Sequence, residues 1–333
     1  MTLSTVKTPS VLVLTTGGTI ASRPHPGGEV RACISGADLV TTITVGQEVD
    51  VEVREVMRGH SFNLTRGDVL RLARQILFEL EASPGAGLVV THGTDTMEES
   101  AYLVDLVLGD GHCVVFTGAQ RHAGEPDTDG PRNLADAIRV AAHPAARGLG
   151  AVVVMAGRIH PARGVFKAHT QALDAVDSPA PLGDVTGGRV HLRARPVRPP
   201  GFRLAELGTL SARVDVVPVY LDSDGVQLAA CRAAGARGIV LQALGTGNPT
   251  PGVLREVRRC VADGLVVLVS TRCPAGPTAP VYGAGGGADL AAAGAVFAGG
   301  LRPSQARLLL AAALSAESDP RRALERLRPH LDG

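Results

Sequence analysis

The chain has 333 residues, 45% of them apolar and 20% charged, with 33 basic against 32 acidic side chains and a formal net charge of +1. That balance excludes a disordered chain, which would be poorer in apolar groups and more one-sided in charge. It also leaves no electrostatic footprint for nucleic acid or an anionic membrane surface, and no apolar run reaches the roughly 20 residues that span a bilayer.

The first residues, MTLSTVKTPSVLVL, carry one Lys and a short apolar run. They lack the charged start, long apolar middle and small-residue cleavage site of a signal peptide, so they read as a frayed tail leading into a strand of a cytoplasmic protein. Val11 to Thr16 then reads as a buried strand, Val49 to Val56 as an alternating one, and Leu64 to Glu81 as an amphipathic helix. Gly87 to Thr91 is a strand, Met97 to Leu108 a helix, Cys113 to Thr117 a strand, Pro131 to Ala142 a helix and Gly150 to Met155 a strand. Short continuous apolar runs alternating with helices predict parallel strands covered on both faces.

The run Ala194 to Leu207 holds several prolines and no clear period, which predicts a linker. The alternation resumes with strands at Val214 to Tyr220, Gly238 to Gln242 and Leu265 to Ser270, and helices at Gly225 to Ala234, Pro251 to Ala262 and Pro303 to Leu314. The Gly-rich run Gly283 to Gly287 reads as a flexible loop. The expected fold is two doubly wound α/β domains: a larger parallel-sheet catalytic domain over 1–195, a linker over 196–212, and a smaller α/β domain over 213–333.

The five cysteines, Cys33, Cys113, Cys231, Cys260 and Cys273, are scattered singly, without zinc spacing. Such a set fits reduced thiols in a cytosolic enzyme, with Cys113 a small core residue. Only two of the 33 basic residues are Lys, Lys7 and Lys167. A GC-rich coding bias accounts for the excess of Arg, and under such a bias an interior Lys stands out. Arg keeps its proton in proteins whereas a desolvated Lys can lose it, so Lys167 is a candidate for proton chemistry.

Ligands of open α/β sheets bind beyond the carboxyl ends of strands. After the first strand comes Thr16-Gly17-Gly18-Thr19-Ile20-Ala21, which reads as a tight turn or as a backbone cradle for a ligand. After the third comes Thr91-His92-Gly93-Thr94-Asp95-Thr96-Met97-Glu98-Glu99. Thr96 and Glu99 have capping-box spacing, so Thr94 and Asp95 fall just before a helix. His92 reads equally as a structural or a functional residue. Two hydroxyl loops, one Asp and one interior Lys suggest nucleophilic catalysis: a Thr hydroxyl is weak until a base such as a low-pKa Lys takes its proton. Backbone N–H groups of the Gly-rich turn at Gly18 would hold an oxyanion.

These residues carry a resemblance. TGGTIA at Thr16 to Ala21 and THGTDTMEESA at Thr91 to Ala101 resemble the bacterial-type L-asparaginase family. So do GAQR at Gly118 to Arg121, DGPRNL at Asp129 to Leu134 and GTGN at Gly245 to Asn248, in order over nearly the whole chain. The resemblance implies hydrolysis of L-asparagine to L-aspartate and ammonia without a cofactor or metal. It implies a homodimer or homotetramer, with sites near subunit interfaces. By the same resemblance Thr19 is the nucleophile, Thr94, Asp95 and Lys167 are catalytic, and Asp95 also holds the substrate's α-amino group. Ser61 and a neighbour's Asn248 are implied to bind substrate, with Gly18 and Ala119 in the oxyanion loops.

The chain departs from the family at three points. The family's mobile-loop Tyr has no counterpart, since the tyrosines are Tyr102, Tyr220 and Tyr282 and the short loop Ser22 to Ala32 holds Gly27, Gly28 and Glu29. The Gln that usually follows the substrate-binding Ser is Phe62, and no acidic residue matches near Val281 to Gly287. Two other readings stay open: hydrolysis of another amide, as by a glutaminase or a tRNA-linked amidotransferase subunit, and a catalytically weak asparagine-binding protein. An amidotransferase subunit would carry an additional N-terminal domain, whereas TGGTIA begins about fifteen residues in, by the same reading of the motif.

Overall fold

A computed structural model describes residues 8–43 and 49–331. The expected N-terminal tail and Lys7 lie outside the described residues. The chain divides into two compact units, 1–198 and 199–333.

In the first unit the strands are β1 (Ser10–Gly17), β2 (Ser22–Pro24), β3 (Val30–Ala32), β4 (Asp50–Gly59), β5 (Gly87–Thr91), β6 (Cys113–Thr117) and β7 (Gly150–Met155). They continue with β8 (Arg158–Pro161), β9 (Phe166–Lys167), β10 (Val176–Asp177), β11 (Gly183–Thr186) and β12 (Arg189–Leu192). The α-helices are α1 (Gly36–Thr41), α2 (Arg66–Ala82), α3 (Met97–Val107) and α4 (Gly130–Ala142). Among the described residues one sheet has eight strands in the order β12-β11-β8-β7-β6-β5-β1-β4. The pairings from β4 through β7 are parallel. Those of β7 with β8, β8 with β11 and β11 with β12 are antiparallel.

Period two explains why the central strands are apolar throughout. Val11, Val13, Val89, Val115, Val152 and Val154 share one buried cluster with Leu134 and Ile138 of α4. The intervening Leu12, Leu14, Leu88, Val90, Val114 and Phe116 are buried as well. Each such side chain contributes roughly 1.5–3 kcal/mol when fully buried. Helix α2 begins at Arg66 because Thr65 caps it: Thr65 Oγ1 accepts from Asp68 N at 3.2 Å while Asp68 Oδ2 accepts from Thr65 N at 2.7 Å.

The second unit holds α5 (Leu204–Leu207), β13 (Val214–Pro218), α6 (Val226–Ala233), β14 (Gly238–Ala243), α7 (Pro251–Ala262) and β15 (Val266–Thr271). It ends with α8 (Gly287–Ala292), β16 (Val296–Phe297), α9 (Pro303–Ala316) and α10 (Pro320–Leu331). Its sheet runs β13-β14-β15-β16, all parallel. Thr250 caps α7 through Val253 N at 3.3 Å, with Pro251 in the first turn where no N–H is required.

The structure corrects several expectations. The larger sheet is parallel-dominated rather than parallel, because three short strands at one side pair antiparallel, so that β8 and β12 run against the rest; RIHP, GDVT and RVHL are too short and polar to show as apolar runs. The loop over Ser22 to Ala32 is a β-hairpin of β2 and β3. The Gly-rich run is pinned: Gly285 N donates to Asp289 Oδ2 at 2.8 Å, and Gly287 opens α8. The proline-rich stretch ends in the single-turn helix α5.

Candidate active site

The site is built at the carboxyl ends of β1, β5 and β6, where loops from adjacent parallel strands meet. Gly17 and Gly18 have φ of +95° and +80°, open to glycine without steric cost. A Cβ on Gly18 would lie 2.5 Å from Gly93 N and 2.6 Å from Gly93 Cα. The β1 and β5 loops therefore touch backbone to backbone at the residue before each threonine, Thr19 and Thr94. Thr19 opens a 3₁₀ turn, Thr19–Ala21, so its N–H has no acceptor within the turn. Among the described residues its hydroxyl makes no hydrogen bond within the protein. Gly18 N donates to Gly59 O at 2.8 Å. Gly18 thus supplies the turn, and its own N–H is not free to hold an oxyanion as the sequence reading expected.

Thr94 is buried, and its hydroxyl accepts from Lys167 Nζ at 2.8 Å and donates to Gln120 Oε1 at 3.3 Å. Lys167 Nζ also pairs with Asp95 Oδ1 at 2.8 Å. Lys167 is only 20% exposed against 52% for Asp95, so the ammonium is shielded while the carboxylate reaches solvent. Beside them lies an open cavity of about 260 Å³ lined by Asp95, Lys167, Ala168, His169 and Thr170. Helix α3 begins two residues after Asp95, and its positive end favours negative charge there.

Thr96 occupies the N-cap of α3 but makes no capping bond with its side chain. Its hydroxyl donates to Ser61 O at 2.9 Å instead, a tertiary bond that replaces the expected capping box. That bond holds buried Ser61 beside Gly93: a Cβ on Gly93 would meet Ser61 Oγ at 2.6 Å. Phe62 is 63% exposed and stacks on His60, ring centroids 5.1 Å apart. His92 is fully buried, its Nδ1 is 2.8 Å from Gly93 O and its ring meets Phe116 edge-on. Burial pulls its pKa down to about 4, so it is neutral near pH 7.

A supporting layer escaped the sequence reading. Asp129 accepts from Gln120 N at 3.1 Å and from Arg121 N at 2.9 Å. Asn133 Nδ2 donates to Asp129 Oδ2 at 2.9 Å and to Gly118 O at 3.0 Å, and Asn133 Oδ1 accepts from Ala156 N at 3.0 Å. Ala119 is fully buried between these anchored neighbours. The signal was present: Asp129 and Asn133 stand four apart at a helix start, hence on one face. Glu98 was also missed, and its Oε2 accepts from Lys167 N at 2.8 Å.

In the second unit Asn248 Oδ1 accepts from Gly287 N at 3.0 Å, which ties the GTGN turn to the start of α8. Among the described residues no group of His, Cys, Asp and Glu is placed to hold a metal ion, and no helix is long and apolar enough to cross a membrane.

A two-domain α/β chain with a threonine, an aspartate and a shielded lysine at the strand ends has the parts of an amide hydrolase. Comparison with known proteins agrees. The asparaginase N-terminal family model matches residues 10–198, and the glutaminase/asparaginase C-terminal domain model matches 213–326. The chain is 41% identical over 311 residues to a probable L-asparaginase of Deinococcus radiodurans, covering 91% of this chain and 92% of that one. It is 33% identical to an L-asparaginase of Bacillus licheniformis, with 92% and 95% covered, and 31% identical to L-asparaginase 2 of Escherichia coli, with 94% and 90% covered. The chain belongs to the asparaginase family.

Proposed function

We propose that this protein hydrolyses L-asparagine to L-aspartate and ammonia through Thr19. The Thr19 hydroxyl attacks the side-chain amide carbon and gives up its proton, ammonia leaves, and a water molecule then cleaves the β-aspartyl ester. Thr94, Asp95 and Lys167 serve the proton transfers. The observation that carries this reading is the chain of contacts in which Lys167 Nζ donates to Thr94 Oγ1 at 2.8 Å and pairs with Asp95 at 2.8 Å, beside an open cavity. Asp95, half exposed at that cavity, is the partner for the substrate's α-amino group, and Ser61 is a further substrate-binding residue. The family relationship supports a homodimer or homotetramer in which Asn248 serves a neighbour's site, and the free cysteines support a cytoplasmic setting.

Ammonia release from L-asparagine by the purified protein tests the reading, with Thr19→Ala as control. Activity that falls at least about a hundredfold in the variant supports it. Release that survives in Thr19→Ala moves the nucleophile to Thr94.

Phe62 favours a second question within the same chemistry. An exposed ring stands where the family usually has a Gln, so L-asparagine and L-glutamine are to be compared side by side. A preference for glutamine would mark a glutaminase on the same machinery.

A further inference from the structure

Lys167 sits on β9, a two-residue strand outside the large sheet. Among the described residues β9 pairs with β10 alone, Lys167 opposite Val176, and no ladder there ties it to the β5 loop that carries Thr94 and Asp95. The tie is made elsewhere. Glu98 Oε2 accepts from the Lys167 backbone N–H at 2.8 Å, while Thr94 Oγ1 and Asp95 Oδ1 each hold its Nζ at 2.8 Å. One short stretch, Thr94 to Glu98, therefore grips Lys167 at both ends, backbone and ammonium. The Glu98 carboxylate lies in the first turn of α3, where the helix dipole favours it, and a carboxylate accepts from an N–H more strongly than a neutral oxygen does.

We propose that Glu98 is a positioning residue that clamps the Lys167 backbone and so sets the Lys167 ammonium against Thr94. The inference rests on the proposed role of Lys167 in proton transfer. Glu98 acts through Lys167 rather than on substrate, so its loss lowers kcat and spares KM.

The chain has only two lysines, Lys7 and Lys167, so lysine labelled with carbon-13 at Cε yields two signals. Lys7→Arg assigns them. In Glu98→Ala, kcat for ammonia release from L-asparagine is expected to fall about tenfold or more, as misplacement of a catalytic group by a fraction of an ångström does. KM stays within about threefold, the Lys167 signal moves from its wild-type position toward that of lysine free in water, and Glu98→Gln, which keeps an acceptor oxygen but not the charge, falls between wild type and Glu98→Ala in both readouts. If Glu98→Ala does not fold, Glu98→Asp, which withdraws the acceptor by one methylene, is expected to shift both readouts the same way. Folded variants with wild-type kcat and an unmoved Lys167 signal would overturn the clamp, as would a loss of kcat with that signal unmoved. If the wild-type protein releases no ammonia from L-asparagine, the functional reading fails instead, and the Lys167 signal alone still decides the clamp.

Discussion

The ammonium of Lys167 reaches the hydroxyl of Thr94 at 2.8 Å, although the two residues are 73 positions apart in the chain. That hydroxyl in turn donates to Gln120 Oε1 at 3.3 Å, so Thr94 is oriented from both sides. Lys167→Met keeps the chain length of the side chain and removes the base. Its kcat for ammonia release is expected to drop by roughly 10²–10⁴, the usual worth of a general base, with the thermal midpoint little changed. Steady-state kinetics beside a melting curve checks it, and a variant with near-normal kcat would remove Lys167 from the chemistry.

Gly18→Ala tests the backbone contact of the two loops. The new Cβ would meet Gly93 N at 2.5 Å, on a residue held at φ +80°. The conformation alone costs roughly 1–3 kcal/mol, and the backbone clash forces the Thr19 and Thr94 loops apart. Both the melting temperature and ammonia release are expected to fall. An active variant of unchanged stability would mean that the loops can separate without consequence.

Arg198 and Asp105 form a largely shielded pair, each side chain 13% exposed, at the other end of the strands. Arg198 Nε lies 3.0 Å from Asp105 Oδ1, and Arg198 Nη2 donates to Asp105 O and Leu108 O at 3.0 and 2.7 Å. Asp105 also accepts from Ala151 N at 2.9 Å, and burial raises its pKa against the pull of Arg198. Arg198→Leu leaves that carboxylate only the Ala151 N–H and the attraction of Arg163, at a cost of at most the roughly 3–5 kcal/mol of a broken buried pair. Denaturant unfolding is expected to show the loss, while ammonia release by the folded variant persists at low temperature.

His160 makes stability depend on pH. It is fully buried, its Nδ1 is 2.8 Å from Ser178 Oγ, and burial pulls its pKa from the ordinary 6.5 down to about 4. Between those values the unfolded chain binds a proton that the folded chain refuses, so stability is lost as pH falls from 6.5 toward 4. His92 acts in the same sense. Asp105 and Asp136, raised by burial, act in the opposite sense above their ordinary 3.8. His160→Asn keeps a polar partner for Ser178 without titrating. It is expected to flatten the slope of unfolding free energy against pH by up to one proton, about 1.4 kcal/mol per pH unit. Denaturant midpoints at pH 4.5, 5.5 and 6.5 measure it; an unchanged slope would mean that His160 is charged in the folded state.

The sequence by itself determined the strands and helices of the two cores. Val11 to Leu14, Leu88 to Val90 and Val266 to Val269 are apolar on both faces, and a strand covered on both sides keeps such a run from water. It also placed Thr19, Thr94 and Asp95 at strand ends, because those motifs follow the apolar runs directly. Tertiary structure alone decided the rest. Short polar strands such as Arg158–Pro161 draw their stability from pairing with neighbours, not from a local period. The Thr96 hydroxyl chose Ser61 O over its own helix, a competition between a local and a distant acceptor that spacing cannot resolve. The grip of Glu98, Thr94 and Asp95 on Lys167 joins parts of the chain about 70 positions apart, and only the packed sheet brings them within hydrogen-bond reach.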